Sequence, residues 1–75
     1  MDPEKAIEEA KRLLAEGKDK KAAQLLTDAA YRTHDPELER RIRELAVQGL
    51  ERAGFFGKGR WNEIIRVAEA RSQAA

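Results

Sequence analysis

PEKAIEEAKRLLAEGKDKKAAQLLTDAAYR, residues 3–32, decides the fold. Ala6, Ile7, Ala10, Leu13 and Leu14 recur at three- and four-residue spacing, which gathers them on one stripe of a helix. Asp2 can cap the free amides at its start. Pro3 suits the first helical position, where no backbone N–H is needed. Glu8 and Arg12 stand four apart as a flanking ion pair. Gly17 stops the helix, because glycine enters the left-handed region without steric penalty. Beyond Lys18 a second stripe begins, with Ala22, Leu25, Leu26, Ala29 and Ala30, and Tyr31 at its edge. The pattern predicts helices over 3–16 and 19–32, joined so tightly that they form an antiparallel hairpin.

Asp35-Pro36-Glu37 repeats the starting signal of Asp2-Pro3-Glu4. It predicts a third helix over 36–53, with the stripe Leu38, Ile42, Leu45, Ala46, Gly49, Leu50 and Ala53. Glu37–Arg41, Glu39–Arg43 and Arg40–Glu44 are read as ion pairs on its polar flank. Glycine is unfavourable inside a helix. Gly49 therefore points to close packing against helix 2 or helix 4. Gly54-Phe55-Phe56-Gly57-Lys58-Gly59 interrupts the pattern. A fourth helix is predicted over 60–73, with Trp61, Ile64, Ile65 and Ala68 on its stripe. The chain reads as one all-α domain over residues 1–75, either a compact four-helix bundle or two stacked antiparallel helical hairpins.

Composition narrows the chemistry. There is no cysteine, which excludes disulfides, thiolate metal sites and thiol nucleophiles. The single histidine, His34, lacks the spaced partners of a metal site. His34 and Asp35 adjoin Tyr31 and Thr33, but no serine or cysteine nucleophile stands near, and Thr27 lies two turns back. We therefore expect no enzyme, no catalytic residues, no cofactor, no metal and no small-molecule ligand. The formal net charge is +1, with eight Lys/Arg against six Asp/Glu in residues 37–75. Arg40, Arg41 and Arg43 are interspersed with Glu37, Glu39 and Glu44, so only weak nucleic-acid binding is expected. No apolar run is long enough to span a membrane. Met1 to Ala10 has neither the basic region nor the apolar core of a secretion signal, so a cytoplasmic location is expected.

The Gly-rich segment carries the best candidate for contact. Phe55 and Phe56 are adjacent, so one is expected in the core and the other outside as an anchor. Lys58 and Arg60 would form a polar rim, while Val47 and Val67 lie beside the stripes of their helices and extend an apolar margin. Gly57-Lys58-Gly59-Arg60 ahead of a helix is also compatible with an anion, though it lacks the spacing and the Ser or Thr of a Walker loop. The expected partner is another protein or a second copy of the chain.

Two partial resemblances bear on this. Ala6, Ala10, Leu13, Gly17-Lys18-Asp19-Lys20-Lys21-Ala22, Leu26 and Ala29 resemble one tetratricopeptide-type hairpin, with Ala6 and Leu13 where that family places Trp and Tyr. Gly59, Trp61 and Ile64 echo the same turn in the second half. This resemblance implies paired helices and the binding of proteins or peptides. Leu45, Leu50, Phe56, Gly57, Gly59, Trp61 and Ile64 resemble the first two helices of a Myb/SANT-type helix-turn-helix domain. That implies nucleic-acid binding, although the third helix, which reads DNA in that family, would have to begin near Ala75. Residues 1–26 also have the regularity of designed helices, so a designed origin stands beside a natural one.

Overall fold

A computed structural model describes residues 2–55 and 57–74, with side chains through residue 71 apart from Phe56. It contains four helices: α1 (Pro3–Ala15), α2 (Asp19–Arg32), α3 (Pro36–Arg52) and α4 (Lys58–Ala74). α1 packs on α2 and α3 packs on α4, and the two hairpins stack through α1–α3, α2–α3 and α2–α4 contacts. Contacts from Glu8 to Arg41 and from the Leu14 carbonyl to Arg52 set α1 and α3 side by side, running the same way.

The α1–α2 turn forms as the glycine requires. Gly17 has φ +80, while the Lys18 amide donates to the Leu13 carbonyl at 2.8 Å and the Gly17 amide to that of Leu14 at 3.1 Å. The two Asp-Pro starts differ. The Asp35 carboxylate accepts the Glu37 amide at 2.9 Å, whereas Asp2 makes no side-chain cap and only its carbonyl accepts, from the Ala6 amide. α4 starts at Lys58, two residues before the predicted boundary. Gly59 sits in its first turn, where the backbone N–H groups have no intrahelical acceptor to lose.

The core is the union of the stripes. Ala6, Ile7, Ala10, Leu13 and Leu14 of α1 meet Ala22, Ala23, Leu26, Ala29 and Ala30 of α2. Ile42, Leu45 and Ala46 of α3 meet Trp61, Ile64 and Ala68 of α4. Leu25, Leu38, Leu50, Ala53, Ile65 and Val67 close its margin. Gly49 packs against α4, as its place inside a helix requires: a Cβ there would lie 2.5 Å from Trp61 Cε2.

The polar flank differs from the sequence reading. Glu39 is 2% exposed, and neither carboxylate oxygen has a hydrogen-bond partner. It shares the inward stripe with Ile42, Ala46 and Gly49, so it cannot pair with Arg43, which instead lies 3.9 Å from Glu69 of α4. Arg12 bridges Glu9 and Glu16 rather than Glu8, which reaches across to Arg41. Arg41 is thereby unavailable to Glu37, and Arg40 takes both Glu37 and Glu44.

Hydrogen bonds hold three of these carboxyls below their ordinary 4.5: from Arg12 to Glu9, from Lys18 and then Arg12 to Glu16, and from Arg40 to Glu37. Each ionises more readily in the folded chain than in the unfolded one. Its contribution is therefore complete above about pH 4.5 and is lost as pH falls through the folded value. All three are solvent-exposed, so the effect is small. Thermal melts from pH 7 to pH 3 should show a shallower acid loss in the triple variant Glu9→Gln, Glu16→Gln, Glu37→Gln. An unchanged slope would show that these pairs do not persist in solution.

Candidate functional site

α3 ends in extended backbone at Ala53, and the chain turns at once, the Gly57 amide donating to the Gly54 carbonyl at 3.0 Å. Phe55 sits at the corner of this turn and is 86% exposed. Phe55 therefore faces outward; Phe56 lies outside the described residues. The turn leaves Lys58 and Arg60 exposed on the first turn of α4. α4 is the only one of the four helices with no acidic residue in that turn. Trp61 follows, and is buried against Gly49.

Gly57 serves close packing, since an added Cβ there would lie 3.3 Å from Ala53 Cβ, but Gly54 and Gly59 do not. Only Gly17 has a positive φ among the described glycines, and an added Cβ at Gly54 or Gly59 would meet nothing within 4 Å. The fold has room for side chains at both, so their absence leaves the surface beside Phe55 low and open.

Next to the turn lies a concavity of about 430 Å³ between the first turns of α2 and α4 and the end of α3. Ala53 and the aliphatic stems of Lys20, Arg52 and Arg60 supply its apolar surface, with the buried Ala23 and Trp61 behind them, and the same three basic side chains supply its positive charge. Asp19 is the one acid lining it. Arg52 engages Asp19: its Nη2 lies 3.0 Å from Asp19 Oδ1, a charge contact without hydrogen-bond alignment. The same guanidinium donates through Nη1 to the Leu14 carbonyl at 2.6 Å, closing the C-terminal end of α1. The sequence alone does not single out Arg52. A basic residue in the last turn of a helix is common, and its partners lie 33 and 38 positions away.

The other candidates are placed elsewhere. Val47, 40% exposed, lines a shallow α3–α4 groove with Ile65, and Val67 is half-buried against the core. Neither lines the concavity at the loop. Tyr31 is half-exposed, its hydroxyl donating to Glu63 at 3.3 Å. His34 Nδ1 lies 3.4 Å from Arg71 Nη1, Thr33 Oγ1 accepts the Asp35 amide, and Thr27 Oγ1 donates to the Ala23 carbonyl at 2.7 Å. These groups are engaged in local structure, and none forms a nucleophile–base pair. Among the described residues no three His, Asp or Glu side chains are grouped to hold a metal, and no helix is long and apolar enough to cross a membrane.

No family model, curated protein or solved structure matches the chain. The site's chemistry is therefore read from its geometry: an outward aromatic, a low glycine surface, a basic rim and an apolar hollow.

Proposed function

We propose that the chain is a non-enzymatic helical scaffold that works as a protein-interaction module, with its contact centred on the loop from Phe55 to Arg60. The observation that carries this reading is Phe55, 86% exposed on a turn beside Gly54, where an added Cβ would meet nothing within 4 Å. A large aromatic flanked by cations matches the anatomy of an interface anchor, in which a few buried aromatic and arginine contacts supply most of the binding energy. The tetratricopeptide-like pairing of α1 with α2 supports the same reading.

Contact-dependent photo-crosslinking tests it. A benzophenone amino acid is placed at Asn62, exposed one turn into α4, and in a second chain at Gln24, exposed on α2. The proposal expects a discrete protein adduct, hetero- or homomeric, from position 62, and a much weaker one both from position 24, one turn beyond Lys20 at the margin of the surface, and from a third chain carrying the group at Lys5, exposed on the first turn of α1 away from the loop. Equal yields, or an adduct to nucleic acid alone, would overturn it. The nucleic-acid outcome would restore the helix-turn-helix reading, with Arg40, Arg41, Lys58 and Arg60 as its contacts.

A further inference from the structure

We infer that the concavity beside Phe55 receives an acidic segment of the partner protein, a Glu or Asp carboxylate next to an apolar side chain. The inference rests on the reading of this end of the molecule as the contact surface and adds the partner's chemistry. Charge carries the first part. Arg12, Arg40, Arg41, Arg43 and Arg52 each contact a carboxylate. Lys20 of α2 and Arg60 of α4, which both line the hollow, have no ion pair or hydrogen bond among the described residues. The one acid lining the hollow is already held by Arg52, and the first turn of α4 supplies no other. The hollow therefore presents two uncompensated cations to whatever enters it.

Shape and polarity carry the second part. A volume of about 430 Å³ falls at the low end of the range for binding pockets and suits one or two side chains. Ala53 and the methylenes of Lys20, Arg52 and Arg60 give it an apolar surface, and Gly54, where an added Cβ meets nothing within 4 Å, leaves it open. A bare anion would satisfy the cations and leave the apolar surface wet. A purely apolar chain would cover that surface and leave Lys20 and Arg60 unanswered. An acidic residue beside an apolar one satisfies both. Phe55 is exposed and directly follows Gly54, which lines the hollow, so an internal stretch of partner crossing the loop can engage anchor and hollow together.

The test titrates the full chain with the peptide acetyl-Glu-Leu-Glu-amide and follows backbone amide and Trp61 indole resonances. Saturable shifts are expected at Ala23, Ala53, Gly54 and Trp61, weakening as salt is raised. Binding should fall by about tenfold or more with acetyl-Gln-Leu-Gln-amide and with the double variant Lys20→Gln, Arg60→Gln. Gly54→Leu, whose Cβ meets nothing within 4 Å, should block the hollow and abolish the shifts while leaving the urea midpoint in place. Three outcomes would overturn the inference: equal shifts from both peptides, shifts scattered away from the hollow, or inorganic phosphate saturating the same resonances at the same concentration. Failure here with a position-62 adduct intact would remove the acidic segment alone and leave the contact surface standing. Peptide binding without any adduct would remove the contact surface as a protein site in the cell.

Discussion

Alanine at Gly49 is expected to destabilise the protein by about 1–3 kcal/mol, although alanine is the better helix former by about 1 kcal/mol. The new methyl would sit 2.5 Å from Trp61 Cε2 and Cζ2 and 2.6 Å from Cδ2. No real contact is that short, so something must move. The indole is a rigid plane, 3% exposed and locked among core side chains, so the displacement is passed to the α3–α4 packing. Urea denaturation measures the loss directly. A second chain carrying Trp61→Leu identifies its cause. With the ring gone, Gly49→Ala should become neutral or stabilising, and the difference between the two backgrounds is the coupling between the sites. A gain in stability from Gly49→Ala in the wild-type background would mean that α3 and α4 lie further apart than described.

Leucine or methionine at Glu39 is expected to act in the opposite direction, raising stability by about 1–4 kcal/mol. Glu39 occupies a core position of α3, 2% exposed, with both carboxylate oxygens lacking a partner. Its methylenes suit the stripe, but its carboxyl end has lost water without gaining hydrogen bonds. An apolar side chain of similar size keeps the packing and removes that penalty. Glutamine should gain less, because a buried amide still seeks partners. Urea midpoints at pH 7 for the three variants test the order Leu or Met above Gln above Glu. A loss of stability in both apolar variants would show that the carboxylate is satisfied in solution.

The apolar skeleton was legible because the helical period is strict. Ala6, Ile7, Ala10, Leu13 and Leu14 are all buried as spaced, and Gly49 meets α4. Leu25 and Ile65 lie at the margin rather than the centre, while Ala23, left off the stripe, is buried. A stripe edge drawn from spacing alone is uncertain by one residue around the helix. Charge misled more than hydropathy. Glu39 looked like a flank residue because glutamate is seldom buried. Arg12 and Arg41 had competing acids three and four positions away or on another helix, and side-chain reach in the folded chain decides among them. At the site, adjacency suggests that Phe55 and Phe56 point different ways without saying which is exposed, and the exposure of Phe55 on the Gly54–Gly57 turn comes from the fold. The hollow itself unites residues from 19 to 61 across three helices, and no local motif announces it.

The contact surface is tested most directly by alanine at Phe55, with the photo-crosslinker at Asn62. Phe55 covers little of the core, so Phe55→Ala should leave the urea midpoint almost unchanged, a change within about 0.5 kcal/mol. Loss of an interface anchor, by contrast, removes about 2 kcal/mol or more of binding. The adduct yield at limiting concentration should therefore fall by at least about tenfold. An undiminished adduct from a chain of unchanged stability would contradict the assignment of Phe55 as the anchor.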